Sequence, residues 1–185
     1  MSITIVDNIL SKEDLEHIRS IILGSEHIIH QGLGRIEVLG IEDHLPIEII
    51  EGLTDIARNV SGMPLKMDHA MAVEYSPLYG LPNLKPHLDG DTNDLIINMQ
   101  LDSNTVWDIG LNLQRYTLND NSALIFNANR EIHWRVHKEF KEGEYVRMLF
   151  VRFYNPENIS DYSHLRYSQD HEIFKDARDF RDSLL

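Results

Sequence analysis

From about Met67 to Tyr154 the chain consists of short strand-like runs separated by turn residues, and this pattern limits the possible folds more than any other feature. The runs are rich in apolar and β-branched residues: HAMAVEYS, LIINMQLD, GLNLQRYTL, SALIFNA and YVRMLFVRFY. The segments between them, such as LPNLKP, DSN, NDNS and KEGE, carry turn-forming residues. Several strands at this spacing predict a β-sandwich or barrel rather than βαβ units.

Two amphipathic helices are predicted ahead of the strands. The segment SKEDLEHIRSIIL begins like a capping box, with Ser11 followed three residues later by Asp14. A second helix is predicted from about Pro46 to Val60, and Ser61 and Gly62 end it. We expect these helices to cover one outer face of the β structure.

The length of 185 residues allows one domain with one core. Its predicted parts are a helical N-terminal support (1–66), a β core (67–154) and a C-terminal tail that ends in a helix (155–185). The chain contains no cysteine, which excludes disulfides, thiolate metal sites and thiol nucleophiles. Any metal must therefore be held by histidine, carboxylate, carbonyl or water ligands.

The charge of the chain argues against two classes of partner. A formal net charge of -13, without a local basic patch, repels nucleic acid and anionic membranes. No apolar run approaches the roughly 20 residues that a bilayer requires, and the N-terminal MSITIVDNIL does not resemble a signal peptide. We therefore expect a soluble, cytoplasmic protein that acts on a small molecule or a peptide; its oligomeric state is left open.

The stretch KPHLDGDTNDLIINMQL holds the first candidate site residues. In a strand, His87 and Asp89 project to one side, and so do Asn98 and Gln100. One H-x-D pair is expected by chance about once in a chain of this composition, so its meaning depends on a third ligand. His133 follows an apolar strand and a turn in ALIFNANREIHWRVHKEF, and could face the pair. Two histidines and one carboxylate, with open positions opposite, suit non-haem Fe(II).

A candidate anchor for a co-substrate lies in the last strand-like run. In EYVRMLFVRFY, Arg147 heads a strand face that is otherwise apolar. A buried guanidinium needs an anionic partner, and its planar fork suits a carboxylate. No protein partner for Arg147 is evident from the sequence, and a dicarboxylate ligand would provide one.

The region from Tyr75 to Phe153 resembles the double-stranded β-helix (jelly-roll, cupin-like) core of the 2-oxoglutarate and Fe(II)-dependent oxygenases, and most of all their prolyl-4-hydroxylase-like group. The resemblance rests on AVEYSPLYG leading into PHLDG, on IINMQLD, on SALIFNANREIHWRV and on YVRMLFVRF. It implies a mainly β protein with flanking helices and a catalytic iron held by His87, Asp89 and His133.

The same resemblance implies the co-substrate site and the reaction. Arg147 would bind the distal carboxylate of 2-oxoglutarate, with Tyr75, Gln100 and Asn98 on the co-substrate wall. With Fe(II), 2-oxoglutarate and O2, such an enzyme hydroxylates an unactivated C–H bond of a small molecule, an amino acid or a peptidyl substrate, among them prolyl residues. The carboxylate at Asp89 favours hydroxylation, because the halogenases of this family require a small residue there.

Two assignments and two other functions stay open. The interval from His133 to Arg147 is longer than is usual in the family, so His137 is an alternative distal ligand. Arg135 and Arg152 are alternative anchors, and Arg152 lies on the opposite strand face from Arg147. The other functions are a non-catalytic jelly-roll binding or structural module, and a cupin-like metalloenzyme that does not use 2-oxoglutarate.

Overall fold

The computed structural model describes residues 3–89, 94–157 and 171–184, so that parts of the metal-ligand stretch (90–93) and of the C-terminal tail (158–170, 185) lie outside the described residues. The strands are β1 (Thr4–Asp7), β2 (Ile28–His30), β3 (Arg35–Leu39), β4 (Lys66–Tyr75), β5 (Leu95–Ser103), β6 (Ile109–Leu111), β7 (Gln114–Tyr116), β8 (Ser122–Phe126), β9 (His133–Arg135) and β10 (Val146–Tyr154). The α-helices are α1 (Lys12–Gly24), α2 (Ile47–Ser61) and α3 (Lys175–Asp182).

The strands form two antiparallel sheets. One has seven strands in the order β1-β8-β5-β10-β4-β3-β2, and the other has three in the order β7-β6-β9. This arrangement confirms the predicted mainly β architecture with flanking helices. Among the described helices, none is long and apolar enough to cross a membrane.

Helices α1 and α2 pack on one face of the seven-stranded sheet through their apolar sides. Ser11 caps α1 as predicted, because its Oγ accepts a hydrogen bond from the backbone N of Asp14 at 3.1 Å. Gly62 ends α2 with a φ of 68°. The buried side chains of this core include Leu15, Ile18 and Ile22 of α1, Ile49, Leu53 and Ala57 of α2, and Leu95, Ile97, Met99, Leu149, Val151 and Phe153 of the sheet.

The opposite face of the seven-stranded sheet meets the three-stranded sheet. Because alternate residues of a strand point to opposite faces, Asn98 and Gln100 of β5 are buried on this side, away from the helices. A second apolar cluster fills part of the space and includes Val73, Tyr75, Ile96, Trp107, Leu124, Phe126, Met148 and Phe150. The remaining space between the sheets holds the candidate site.

The run GLNLQRYTL, predicted as one strand, folds into the hairpin of β6 and β7. Asn112 and Leu113 form its turn with φ angles of 48° and 60°. Positive φ at both turn residues gives the twist that a tight hairpin needs. The short strand β1 was not predicted either, since four residues carry too little periodicity to be distinguished from a loop.

Gly110 of β6 leaves the space that the Trp134 indole occupies. A Cβ at this position would lie 2.0 Å from Cε2 and 2.3 Å from Nε1 of Trp134. We expect Gly110→Ala to lower the free energy of unfolding by about 3 kcal/mol because the buried indole has to move. Gly52→Ala in α2, where nothing lies within 4 Å of the added Cβ, should instead raise it by about 0.5 kcal/mol. Urea unfolding compares the two variants, and equal midpoints would contradict this packing.

Candidate metal centre and adjoining cavity

The segment from Leu81 to Asp89, called the arm below, carries two of the predicted ligands to the edge of β9. The backbones of His87 and His133 exchange hydrogen bonds of 3.0 and 3.1 Å, which form an isolated antiparallel bridge. Two residues on, the backbone N of Asp89 donates to Ala128 O at 2.9 Å. The expectation of a regular strand was wrong here, but the bridge still directs the side chains of His87 and Asp89 toward His133.

Three side chains form a possible metal site. One ligand atom from each of His87, Asp89 and His133 lies within 4.8 Å of the others, and Asp89 Oδ1 is 3.7 Å from Nε2 of each histidine. Nδ1 of His87 lies 2.8 Å from Lys85 O, and Nδ1 of His133 lies 3.0 Å from Glu131 O. Because a carbonyl only accepts, Nδ1 of each ring donates its proton, and the Nε2 lone pair remains available to a cation.

The electrostatics of these groups favour cation binding. Burial, and after it the electrostatic interaction with the neighbouring His87, lowers the pKa of His133 to about 4, so this imidazole is neutral at physiological pH. Burial alone would raise the pKa of Asp89, but its electrostatic interactions with His133, Arg152, His87 and Arg35 together outweigh burial and lower this pKa. A neutral imidazole and an ionised carboxylate are the forms that bind metal ions.

A cavity of about 280 Å³ adjoins the three ligands between the two sheets. Its apolar wall comprises Leu33, Met71, Leu84, Ile96 and Phe150, and its polar wall comprises Arg35, Tyr75, Asn98, Arg135 and Arg152 beside the ligands. The structure thus places the predicted Tyr75 and Asn98 at the cavity. Gln100 does not line it, and its Nε2 donates to Leu118 O at 3.1 Å.

Arg135 is the most deeply buried cation of this cavity, with 1% of its surface exposed. Its Nη1 donates to Trp107 O at 2.7 Å, Nη2 lies 3.2 Å from Met148 Sδ, and the guanidinium sits 5.0 Å from the Trp107 ring centroid. Burial lowers the pKa of Arg135 to about 10, which leaves it protonated at neutral pH. No carboxylate in the described part of the chain forms an ion pair with it.

Arg35 of β3 is a cavity residue that the sequence did not reveal. Its Nη1 donates to the hydroxyl of Tyr75 at 2.7 Å, and its guanidinium pairs with Glu37. The alternation of Arg35 and Glu37 in GLGRIEVLG indicates a charged strand face, but the contact with Tyr75 depends on the pairing of β3 with β4. Within the described residues, Arg35 Nε and Asn98 Oδ1 are buried without a hydrogen-bond partner, as expected of a cavity that receives a polar ligand.

Arg147 lies outside the cavity. Its Nε donates to Glu74 Oε2 at 2.6 Å and its Nη1 to Asp102 Oδ2 at 3.1 Å. The expectation that it lacks a protein partner was therefore wrong. Strand β10 lies between β4 and β5, and the register sets Arg147 opposite Glu74 on one side and Asp102 on the other. Such cross-strand neighbours are not visible in a single sequence.

The structure also separates the alternatives for the distal ligand and the anchor. His133 lies with His87 and Asp89, whereas His137 is exposed beyond the end of β9. Arg152 faces the cavity from β10, and its Nη2 lies 3.4 Å from Asp89 Oδ2. The other oxygen of this carboxylate, Oδ1, is the one that lies 3.7 Å from Nε2 of each histidine.

No family profile and no curated protein sequence matches the chain, but many solved structures do. The epimerase SnoN in complex with Fe3+, alpha ketoglutarate and nogalamycin RO has a TM-score of 0.66 at 11% identity, over 83% of this chain and 78% of SnoN. HygX from Streptomyces hygroscopicus, with nickel and 2-oxoglutarate bound, has a TM-score of 0.64 at 10% identity over 94% of both chains.

A third similar structure is the viral collagen prolyl hydroxylase vCPH from Paramecium Bursaria Chlorella virus-1, in its 2OG complex. Its TM-score is 0.57 at 11% identity, over 82% of this chain and 96% of vCPH. These similarities confirm the predicted jelly-roll core, and at such low identity they concern the fold alone. The chain thus has the fold of enzymes whose solved structures include 2-oxoglutarate complexes, some with a metal ion.

Proposed function

We propose that the protein is an Fe(II)- and 2-oxoglutarate-dependent oxygenase. One observation carries the proposal: the cluster of His87, Asp89 and His133 shares a cavity with the buried Arg135, which forms no ion pair with a carboxylate of the described residues. The cluster suits a metal ion that keeps open coordination positions, and the guanidinium suits a carboxylate of a ligand. A purely structural jelly roll would need neither feature.

The donor set fits Fe(II). His87 and His133 offer Nε2 lone pairs, and Asp89 offers an ionised carboxylate on the same side. When bound together with 2-oxoglutarate and O2, iron would supply the oxidising power for attack on an unactivated C–H bond. The contribution of the protein is to hold the ligands in place, to bind and orient the co-substrate and to exclude water from the cavity.

The cavity also fits 2-oxoglutarate. We assign the distal carboxylate to Arg135 and to the hydroxyl of Tyr75, which accepts from Arg35 and can donate its own proton to a carboxylate. Asn98 would add a hydrogen bond by donating from its amide Nδ2. This assignment moves the anchor from Arg147 to Arg135, because Arg147 is already neutralised by protein carboxylates.

The charge of the cavity supports a dianionic co-substrate. Of the described lining residues, Arg35, Arg135 and Arg152 are cationic and only Asp89 is a carboxylate. Arg35 faces Glu37 and Arg152 faces Asp89, so the positive charge of Arg135 is left unbalanced in the cavity of a protein whose net charge is -13. A positive cavity concentrates small anions even when the rest of the molecule repels them.

The substrate that we propose is a small molecule, an amino acid or a peptidyl residue that becomes hydroxylated. SnoN and HygX have structures with nogalamycin RO and hygromycin B, respectively, which favours a small molecule. vCPH is a collagen prolyl hydroxylase, so a prolyl peptide is the specific peptidyl candidate. Location in the cytoplasm and the lack of a nucleic-acid partner remain predictions from the composition.

Anaerobic titration tests the proposal. Fe(II) and 2-oxoglutarate together should produce a weak visible charge-transfer band that neither produces alone, and His87→Ala should lose it because the chelate needs all three protein ligands. Folded protein that shows no band at saturating concentrations of both would contradict the proposal. Iron binding without the band would instead favour a cupin-like metalloenzyme that does not use 2-oxoglutarate.

A further inference from the structure

The C-terminal helix α3 reaches the arm of the metal site through one guanidinium. Nε of Arg181 donates to the backbone O of Arg135 at 3.1 Å, and Nη2 donates to Oδ1 of Asn83. Asn83 belongs to the arm, and Arg135 belongs to β9. Arg181 therefore bridges the two segments that carry His87 and His133.

The bridge supplements a small number of backbone hydrogen bonds. Besides the pair between His87 and His133 and the hydrogen bond from Asp89 N to Ala128 O, the backbone N of Arg135 donates to Leu84 O at 2.9 Å. On the other side of the arm, the backbone N of Asn83 donates to Leu33 O at 3.3 Å. An irregular segment that is held by few contacts opens locally more easily than a strand within a sheet.

Helix α3 is itself firmly placed. Ala177 is buried, as is Phe174, which directly precedes the helix. The ring of Phe180 meets the buried Trp134 edge-on, with centroids 6.2 Å apart. Since Trp134 is the neighbour of His133 in β9, the helix and the metal-ligand strand are packed against each other. The packing of α3 therefore holds the backbone that carries Arg181 in place beside β9.

We propose that Arg181 is a positioning residue of the metal centre, which makes α3 part of that centre. By tying Asn83 to β9, it fixes the place of His87 and Asp89 relative to His133. Its effect on metal affinity rests on the proposed function, whereas its effect on the arm does not. Two measurements therefore separate the two proposals.

The test uses Arg181→Met, which keeps an apolar stem of similar length and removes the donors. In metal-free protein, we expect hydrogen exchange of the arm amides to become about tenfold faster, because the arm opens more often. The Kd for Co(II) should rise about tenfold, as for other residues that orient metal ligands. Arg181→Lys should give intermediate values, since a single ammonium reaches only one of the two acceptors.

Lys175→Met is the matched control, because Lys175 lies on the same helix and forms an exposed ion pair with Asp179. Unchanged arm exchange and unchanged Co(II) affinity in Arg181→Met would overturn the inference. Wild-type protein that binds no Co(II) would instead refute the proposed metal site, and the exchange data would still decide whether Arg181 holds the arm.

Asn83→Ala provides a second route if Arg181→Met does not fold, because it removes the other end of the bridge and leaves the packing of α3 intact. It should speed arm exchange to a similar extent. The double variant should be no faster than Arg181→Met alone, since Arg181→Met already removes the hydrogen bond to Asn83. Additive effects of the two substitutions on arm exchange would overturn the inference.

Discussion

Replacing His133 with alanine should weaken Fe(II) binding by more than about 100-fold. Residues that only orient a metal ligand already change metal affinity by about 10- to 100-fold, and a proposed ligand should change it more. His133 is buried, and its Nε2 lies 3.7 Å from the nearest oxygen of Asp89. Its loss leaves a single imidazole and a carboxylate, too few protein ligands for a stable site. Anaerobic titration of the metal-free protein with Fe(II) measures the effect.

His137→Ala is the matched control, because His137 is an exposed histidine four positions further along and lies outside the cluster. It should bind Fe(II) as wild type does. The backbone hydrogen bonds between residues 87 and 133 do not depend on the side chain, so His133→Ala should stay folded, and circular dichroism checks this. Loss of binding with His137→Ala and not with His133→Ala would show that the distal ligand is misassigned.

Local patterns explain why much of the fold could be predicted. The limits of α1 and α2 follow from Ser11, Gly62 and an apolar stripe, all of which lie within the helices or at their ends. The long strands β4, β5, β8 and β10 alternate or concentrate apolar residues over five to ten positions. The chemistry of the three candidate ligands is equally local, because H-x-D and a histidine after a turn are visible without any coordinates.

What could not be predicted depends on pairing between distant segments. The partners of Arg147 come from two strands on either side of β10, and the contact between Arg35 and Tyr75 comes from the register of β3 and β4. Arg135 is an intermediate case. Arg135 lies two positions after His133 in β9, so the alternation of side chains along a strand puts both residues on the same face. This pattern would have favoured Arg135 as the anchor.

Arg135→Met should raise the Kd for 2-oxoglutarate about 100-fold while the Fe(II) affinity stays within about twofold of wild type. A charge-assisted hydrogen bond of about 1.5–3 kcal/mol is lost from a buried position, and each 1.4 kcal/mol corresponds to about tenfold in affinity. Methionine fills similar space beside Met148 without requiring a counter-ion. The charge-transfer band, followed at increasing 2-oxoglutarate, measures this Kd.

Arg147→Met is the control that separates the two candidate anchors. Because Arg147 is paired with Glu74 and Asp102 outside the cavity, its loss should lower the free energy of unfolding and leave the Kd for 2-oxoglutarate unchanged. If Arg147→Met weakened 2-oxoglutarate binding and Arg135→Met did not, the anchor would be Arg147, as the sequence alone suggested.

A ligand that lacks the distal carboxylate makes the assignment specific. 2-Oxopentanoate has the same keto-acid end as 2-oxoglutarate but lacks the distal carboxylate. If a cation of the cavity binds that carboxylate, wild type should bind 2-oxopentanoate about 100-fold more weakly than 2-oxoglutarate. In Arg135→Met the two ligands should bind with nearly equal affinity, because the group that distinguishes them has been removed. A preference for 2-oxoglutarate that survives in Arg135→Met would assign the distal carboxylate to another cation, and Arg35, which already donates to Tyr75 in the same cavity, would then be the next residue to replace.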